Sequence, residues 1–189
     1  MAIIVVGGGG RGAGKTALIC GLIRALPDAR WTAVKITTHA HGHTEPVFEE
    51  TATGEGTDTA RYLAAGAQRA LLFTSHKDDL ATALRRILDE NRTQENLIFE
   101  SNSVLNHLKP DLCFAVSMSL EGGRKASFDL VERCADATVA LGGHDHVTND
   151  HSARGERIHF HLASLERISP PMLAWVRERL SVRDWRGSA

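Results

Sequence analysis

GGRGAGKT occupies residues 9–16 of a 189-residue chain and has the spacing G-x-x-x-x-G-K-[ST]. An apolar run of β-forming residues, Ile3-Ile4-Val5-Val6, comes directly before it. After it, leucines and isoleucines recur at helical spacing from Leu18 until Pro27 interrupts the pattern. A strand, a glycine-rich loop and a helix start in this order form the context that a phosphate-binding loop requires. The stretch therefore predicts a P-loop near the start of an α/β fold.

The residue types in this stretch suit a nucleoside triphosphate bound with Mg²⁺. Glycines let the backbone approach phosphates closely, and the N–H groups of the loop and of the helix start point towards the anion. We expect Lys15 to reach the β- and γ-phosphates and the Thr16 hydroxyl to bind Mg²⁺. The residues predicted to contact the nucleotide in this stretch are Gly9, Gly10, Arg11, Gly12, Ala13, Gly14, Lys15, Thr16 and Ala17.

Composition and charge are those of an ordinary globular protein. Hydrophobic residues make up 42% of the chain, charged residues make up 24%, and the net charge is −1. This balance gives no reason to expect attraction to nucleic acid or to a membrane surface. At this length we expect a single nucleotide-binding domain over residues 1–189.

Two further observations bear on the compartment. The apolar run before the loop is too short for a signal peptide or a membrane span. The three cysteines, Cys20, Cys113 and Cys134, lie singly in apolar segments without C-x-x-C spacing, so we expect them to be buried free thiols. A cytoplasmic location is the expectation from both.

Strand and helix patterns alternate along the rest of the chain. Helical patterns follow Thr57, Ser75 and Ser127 and begin again at Pro170, whereas 39–56 is polar and predicted to be irregular. Strands are predicted at Ile3–Val6, Trp31–Thr37, Gln68–Thr74, Asn96–Glu100, Leu112–Val116, Ala137–Leu141 and Arg157–Leu162. The alternation predicts a three-layer P-loop NTPase fold, in which a twisted, mostly parallel sheet of about seven strands has helices on both faces. In such sheets ligands bind beyond the carboxyl ends of the strands.

Three charged residues near predicted strand ends are candidates for the same site. Glu100 ends an apolar strand, where P-loop proteins place an acid that binds the Mg²⁺ shell or orients water, although Asp is more usual there. Asp58 is a second candidate for the metal or for catalysis, or an acid that favours a helix start for dipole reasons. Lys35 interrupts an apolar strand, which indicates either contact with an anion or an edge lysine that reaches solvent. The serines and the asparagine at 101–103 suit the lining of a phosphate or substrate cleft.

The ten histidines include two groups that have the spacing of metal ligands. The first is His39, His41 and His43, and the second is His144, His146 and His151. Alternate residues of an extended chain point the same way, so either group offers imidazoles for a transition metal. Loop histidines without a metal are the alternative.

Beyond the P-loop, the order of motifs resembles one protein family. GGRGAGKTALICGLIRAL, AVKITTHAHGH, TDTARYLAAGA and LIFESNSVL, within about the first 105 residues, are similar to the molybdopterin-guanine dinucleotide biosynthesis protein B family. That family usually continues Glu-Gly where this chain has Glu100-Ser101. The resemblance implies a dimeric GTP-binding protein in which the P-loop binds phosphate, Lys35 and Asp58 lie near the phosphate, and Glu100 lies near Mg²⁺.

Two other classes of P-loop protein stay open. The segment GKTALICGLIRAL is also similar to nickel-insertion GTPases, which would give the histidines a role as metal ligands. Dethiobiotin synthetase-like ligases share the P-loop and the acid at the strand end, and would make the protein a small-molecule enzyme. GTP and ATP are not distinguished by the residues themselves, because the N-K-x-D tetrapeptide of guanine-binding proteins does not occur in the chain.

Overall fold

The computed structural model describes residues 1–37, 47–74, 80–91, 96–117, 126–152 and 155–181. Among these residues the strands are β1 Ile3–Gly8, β2 Trp31–Thr37, β3 Val47–Glu49, β4 Arg69–Thr74, β5 Asn96–Glu100, β6 Leu112–Ser117, β7 Ala137–Leu141, β8 His146–Ser152 and β9 Gly155–Leu162. The helices are α1 Lys15–Ala25, α2 Asp58–Ala64, α3 Leu80–Asn91, α4 Phe128–Cys134 and α5 Pro170–Ser181. Short 3₁₀ turns lie at Pro27–Ala29 and Ser103–Asn106.

All of these strands belong to one sheet with the order β3-β4-β2-β5-β1-β6-β7-β9-β8. The seven strands from β4 to β9 in this order pair in parallel, and they are the seven strands that the sequence predicts. The architecture is therefore the predicted three-layer P-loop NTPase fold, with β1 near the middle of the sheet.

The two strands that the sequence did not predict lie at the two edges. β3 pairs antiparallel with β4, and β8 pairs antiparallel with β9. β3 falls within the stretch 39–56 that was expected to be irregular, and that expectation is wrong for Val47–Glu49. Both strands are bound to the sheet on one side only, so they need no continuous apolar run.

Alternate residues of the central strands divide the core into two layers. Ile4 and Val6 of β1 pack on the face that α1, α2 and α5 cover. Val5, between them, points to the opposite face, where α3 and α4 contribute the buried side chains. This period of two in a fully buried strand is what a sheet covered on both faces requires.

The two ends of α2 are those that its sequence favours. Thr57 caps α2 by accepting a hydrogen bond of 3.0 Å from the Ala60 N–H, and Gly66 after the helix has φ 106°.

Cys20 and Cys113 are buried as expected, but Cys134 is exposed. It is the last residue of α4, and only Phe128 and Val131 of that helix are buried, so helical spacing alone overestimated its burial.

Strand register brings the candidate site residues to one place. Glu100 at the end of β5 is opposite Val6 of β1 on one side and opposite Lys35 of β2 on the other. Because all three strands run in parallel, the glycine-rich loop after β1 begins beside both of these charged residues.

Candidate functional site

The glycine-rich loop joins the end of β1 to the start of α1. Gly12 and Gly14 have φ values of 76° and 86°, in the left-handed region that residues with a side chain rarely adopt. Gly14 is the N-cap of α1, so no cap side chain covers the first N–H groups of the helix. These groups are therefore directed, with the positive end of the helix dipole, towards the space above the loop.

The first two residues of α1 point into the same space. Lys15 lines it and donates a hydrogen bond of 2.8 Å from Nζ to the Gly10 carbonyl, which folds the side chain over the loop. Thr16 donates from Oγ1 to Glu100 Oε2 over 2.6 Å. The start of α1 is thus hydrogen-bonded to the carboxyl end of β5 through a residue pair that the sequence predicted to share Mg²⁺.

Glu100 is the centre of a buried polar cluster. Its side chain is 5% exposed, and its two oxygens accept hydrogen bonds from three different elements. Oε2 accepts from the hydroxyls of Thr16 and Tyr62, and Oε1 accepts from Lys35 Nζ over 2.8 Å. A carboxylate bound in this way is fixed in orientation before any ligand arrives.

Asp58 joins the cluster from the first turn of α2. Its carboxylate accepts a hydrogen bond from Lys35, and the Thr16 hydroxyl lies close enough to help lower the pKa of Asp58. Burial alone would raise the pKa of Asp58, but the hydrogen bond and the charge of Lys35 hold that pKa below its usual value. Asp58 is therefore ionised at neutral pH.

Lys35 is the counterion of both acids. Burial would lower the pKa of Lys35, but the Glu100 and Asp58 carboxylates outweigh it, so the pKa of Lys35 is raised. The interpretation of Lys35 as an edge lysine that reaches solvent is wrong, since β2 lies inside the sheet and the ammonium contacts carboxylates. Two carboxylates share one ammonium, so this cluster has one negative charge in excess.

The loop and the acidic cluster line one pocket of about 750 Å³. Every residue predicted for the site is part of its lining except Gly9. Its other lining residues among those described are Gly8, Ile36, Thr37, Arg61, Ser101, Asn102, Ser103 and Ser127. The predicted residues of the loop, 10–17, are thereby brought together with Lys35, Asp58 and Glu100 from three other elements.

Asn102 fixes the point where β1 enters the loop. Its side chain accepts from the Gly8 N–H over 2.9 Å and donates to the Gly8 carbonyl over 3.0 Å, as a neighbouring strand would. It also donates to Ser127 Oγ over 3.1 Å, just before α4. The lining role predicted for 101–103 is met, and Asn102 in addition satisfies the last backbone groups of β1.

Tyr62 is the site residue that reasoning from the sequence missed. It is fully buried, and its hydroxyl donates to Glu100. Two signals were present in the sequence: Tyr62 is the only tyrosine of the chain, and it lies four residues after Asp58 on the predicted helix. Residues at that spacing share a helix face, so a polar ring beside a candidate acid was foreseeable.

Of the histidine groups, the described side chains are not arranged as the metal site that their spacing suggested. His39, His41 and His43 lie outside the described residues. In the second group the His146 ring stacks on His161, with centroids 4.1 Å apart, and contacts His144 at 4.8 Å. Stacked imidazoles direct their nitrogen lone pairs side by side, not at one ion. Over the ranges that the structure describes, no group of three or more His, Cys, Asp or Glu side chains is placed to hold a metal.

Comparison with known proteins supports the fold. No protein-family model matches the chain, and no curated protein matches it significantly. Among solved structures, the chain is similar to LpxK from Aquifex aeolicus in complex with ATP, with a TM-score of 0.52 and 18% sequence identity. The match covers 76% of this chain and 49% of LpxK, so the chain spans about half the length of that protein. Of the described helices, none is both long and apolar enough to cross a membrane.

Proposed function

We propose that the chain binds a nucleoside triphosphate with Mg²⁺ in the pocket above residues 9–16 and hydrolyses it slowly. The observation that carries the proposal is the hydrogen bond from Thr16 to Glu100, beside Lys15. It joins the start of the P-loop helix to the acid at the end of a neighbouring strand, which is the arrangement P-loop enzymes use to hold phosphate and metal together. The fold likeness to an ATP-bound structure is consistent with this proposal.

The residues present fit a magnesium ion. Mg²⁺ prefers oxygen ligands and is usually held by one or two carboxylates together with substrate phosphates. The hydroxyl of Thr16 and the carboxylates of Asp58 and Glu100 supply such oxygens, and their excess negative charge favours a cation. These three residues would hold the ion, and the ion would supply positive charge to neutralise the charge that develops on the phosphate oxygens.

The remaining residues act by positioning and by charge. The N–H groups of residues 9–16 and the start of α1 hold the phosphates, and Lys15 exchanges its contact with Gly10 for the β- and γ-phosphates. Glu100 or Asp58 orients the attacking water. The water oxygen bonds to the γ-phosphorus, the bond to the β–γ bridging oxygen breaks, and the water proton passes to solvent, leaving a nucleoside diphosphate and phosphate. Lys35, predicted to lie near phosphate, keeps that proposed role from its place in the same lining.

Several finer features rest on the family resemblance. GTP as the preferred nucleotide, a homodimer and an accessory role in molybdopterin dinucleotide biosynthesis are proposed on that ground.

That residues 1–189 form one domain is supported by the single sheet to which all described strands belong. The nickel-insertion alternative depends on His39, His41 and His43.

Phosphoryl transfer to a small molecule is the second candidate function. The pocket lining also includes Thr37, Ser101 and Ser103, so the wall that holds the acidic cluster offers hydroxyl groups as well. Such a wall suits a polar acceptor, as the dethiobiotin synthetase-like alternative requires.

Calorimetry on the metal-stripped protein tests the proposal. GTP and ATP are titrated with and without Mg²⁺, and phosphate release is followed in parallel; Ni²⁺ and Zn²⁺ are then titrated alone. Mg²⁺-dependent nucleotide binding with slow phosphate release supports the proposal. Binding of neither nucleotide overturns it. A stoichiometric Ni²⁺ or Zn²⁺ site that disappears in His41→Ala supports metal insertion, whereas turnover that needs an added small acid or amine supports the second candidate.

A further inference from the structure

The hydroxyl of Tyr62 makes a hydrogen bond that the packing of the ring does not require. Its ring lies in the core layer between the sheet and α1, α2 and α5, and it has no exposed surface. A phenylalanine would fill the same volume. The hydroxyl brings a polar group into this layer, which costs free energy unless it is hydrogen-bonded. Its acceptor is Oε2 of Glu100, 38 residues further along the chain.

The two hydroxyls that contact Glu100 Oε2 come from two different helices. Thr16 donates from the start of the P-loop helix, and Tyr62 donates from the helix that also carries Asp58. Lys35 holds the other oxygen, Oε1. The carboxylate is therefore fixed by three donors, of which Tyr62 alone is wholly buried.

We propose that Tyr62 is a positioning residue that orients the Glu100 carboxylate towards the magnesium ion and the attacking water. The inference rests on the proposed function and adds to it a residue that lies behind the acid and makes no contact with the nucleotide. A glutamate has one more rotatable bond than the aspartate usual at this strand end, so its carboxylate has more freedom to lose. The Tyr62 hydroxyl removes part of that freedom before the ligand binds.

Tyr62 is suited to remain a hydrogen-bond donor. Burial raises the pKa of Tyr62 well above its usual value, and the charge of Glu100 and the hydrogen bond to it act in the same direction. The phenol therefore keeps its proton. Its ring is held on all sides by core side chains, so the hydroxyl does not swing away as an exposed donor would.

Tyr62→Phe removes the hydroxyl and keeps the ring, so it separates positioning from packing. In EDTA we expect its nucleotide affinity to stay within about twofold of wild type, because the loop and Lys15 are intact. The Mg²⁺ concentration for half-maximal binding, measured by calorimetry with a non-hydrolysable triphosphate, should rise about 10-fold, and kcat should fall by a similar factor at an almost unchanged KM. Val176→Ala, a buried change on α5, serves as the control for lost stability and should alter neither quantity.

A spectroscopic readout tests the contact without turnover. Because Tyr62 is the only tyrosine, protein labelled with ¹³C at the tyrosine Cζ gives a single resonance. In metal-free protein this resonance should move in Glu100→Gln and stay in Val176→Ala. It should also move in wild type when Mg²⁺ and the non-hydrolysable triphosphate bind.

The outcomes separate the two proposals. Wild-type protein that binds and hydrolyses the Mg–nucleotide, together with an unchanged Mg²⁺ dependence and kcat in Tyr62→Phe, overturns the inference and leaves the proposed function standing. The inference is also overturned if Val176→Ala changes the Mg²⁺ dependence and kcat as much as Tyr62→Phe does. The same holds if the tyrosine resonance does not move in Glu100→Gln. Failure of the wild type to bind any nucleotide overturns the proposed function and the inference together.

Discussion

Lys35 and Glu100 are register partners on neighbouring parallel strands, and the Lys35 ammonium donates a 2.8 Å hydrogen bond to Oε1 of Glu100. The pair lies inside the sheet and not at its edge, so the backbone of two central strands sets its geometry. An ammonium at this place is the counterion of an acid that is 95% buried, so neither side chain is left without a partner in the core.

Replacing Lys35 by methionine should destabilise the fold. The change leaves the buried Glu100 with hydroxyl donors but without its counterion, and breaking a buried pair from one side costs about 3 kcal/mol. Urea unfolding monitored by circular dichroism gives the difference. The double variant Lys35→Met/Glu100→Gln should lose clearly less than the sum of the single changes, because the orphaned charge is gone. Additive losses would show that the two residues are not energetically coupled.

Lys15→Ala should abolish triphosphate affinity and leave the fold intact. Lys15 lines the pocket and bonds to the loop carbonyl of Gly10, so it supports no buried layer of the core. We expect loss of calorimetric binding with an unchanged unfolding midpoint. Lys109→Ala removes the same charge from an exposed position outside the pocket and is the matched control. Binding that survives in Lys15→Ala would contradict the assignment of the loop to phosphate.

Glu100→Gln should retain nucleotide binding while turnover falls at least about tenfold. The amide is nearly isosteric with the carboxylate but lacks the charge that a metal and an attacking water require. Single-turnover phosphate release, with binding measured in parallel, separates the two effects. Turnover at the wild-type rate would make Glu100 a structural residue of the Lys35 and Thr16 contacts.

The sequence was sufficient for the elements that bury apolar residues and for the P-loop, and insufficient for contacts between distant elements. β1 and β5 are apolar runs flanked by recognisable breaks, and Lys35, Asp58 and Glu100 could be placed at strand or helix ends. β8 could not be predicted, because its sequence, HVTNDHS, has one apolar residue and is held by hydrogen bonds to β9. The Tyr62 contact depends on where α2 packs against the sheet, which no local pattern specifies.

The stability of the protein should depend on pH through His161. Burial lowers the pKa of His161, and the neighbouring His146, His159 and His144 lower it further. The unfolded chain then takes up a proton at a higher pH than the folded one, so stability falls as pH drops below about 6.5. His161→Phe keeps a ring in the stack but cannot titrate, and it should flatten the decline in urea midpoint between pH 7.5 and 5.5. The exposed His107, changed to Gln, should leave the decline as in wild type.

Gly21→Ala, in the middle of α1, should have two opposing effects on stability. Alanine favours a helix interior over glycine by about 1 kcal/mol, which alone would stabilise the protein. A Cβ at this position, however, would lie 2.7 Å from the Leu165 carbonyl oxygen and 3.0 Å from the Glu166 carbonyl carbon, and both are backbone atoms. Overpacking of this kind costs about 1–3 kcal/mol, so we expect net destabilisation in urea.

A shift of the backbone at 165–166 should also affect the candidate site. Glu166 accepts hydrogen bonds from Arg24 of α1 and Arg61 of α2, at 2.9 and 2.8 Å, and α2 carries Asp58 and Tyr62. Moving Glu166 outwards loosens its ion pairs with Arg24 and Arg61, which tie α2 to α1, so turnover should fall along with stability. Gly56→Ala, where a Cβ meets open space, is the matched control and should change neither. If Gly21→Ala is more stable than wild type, the backbone at 165–166 moves aside without a cost in stability. Helix propensity then determines the sign of the change in stability.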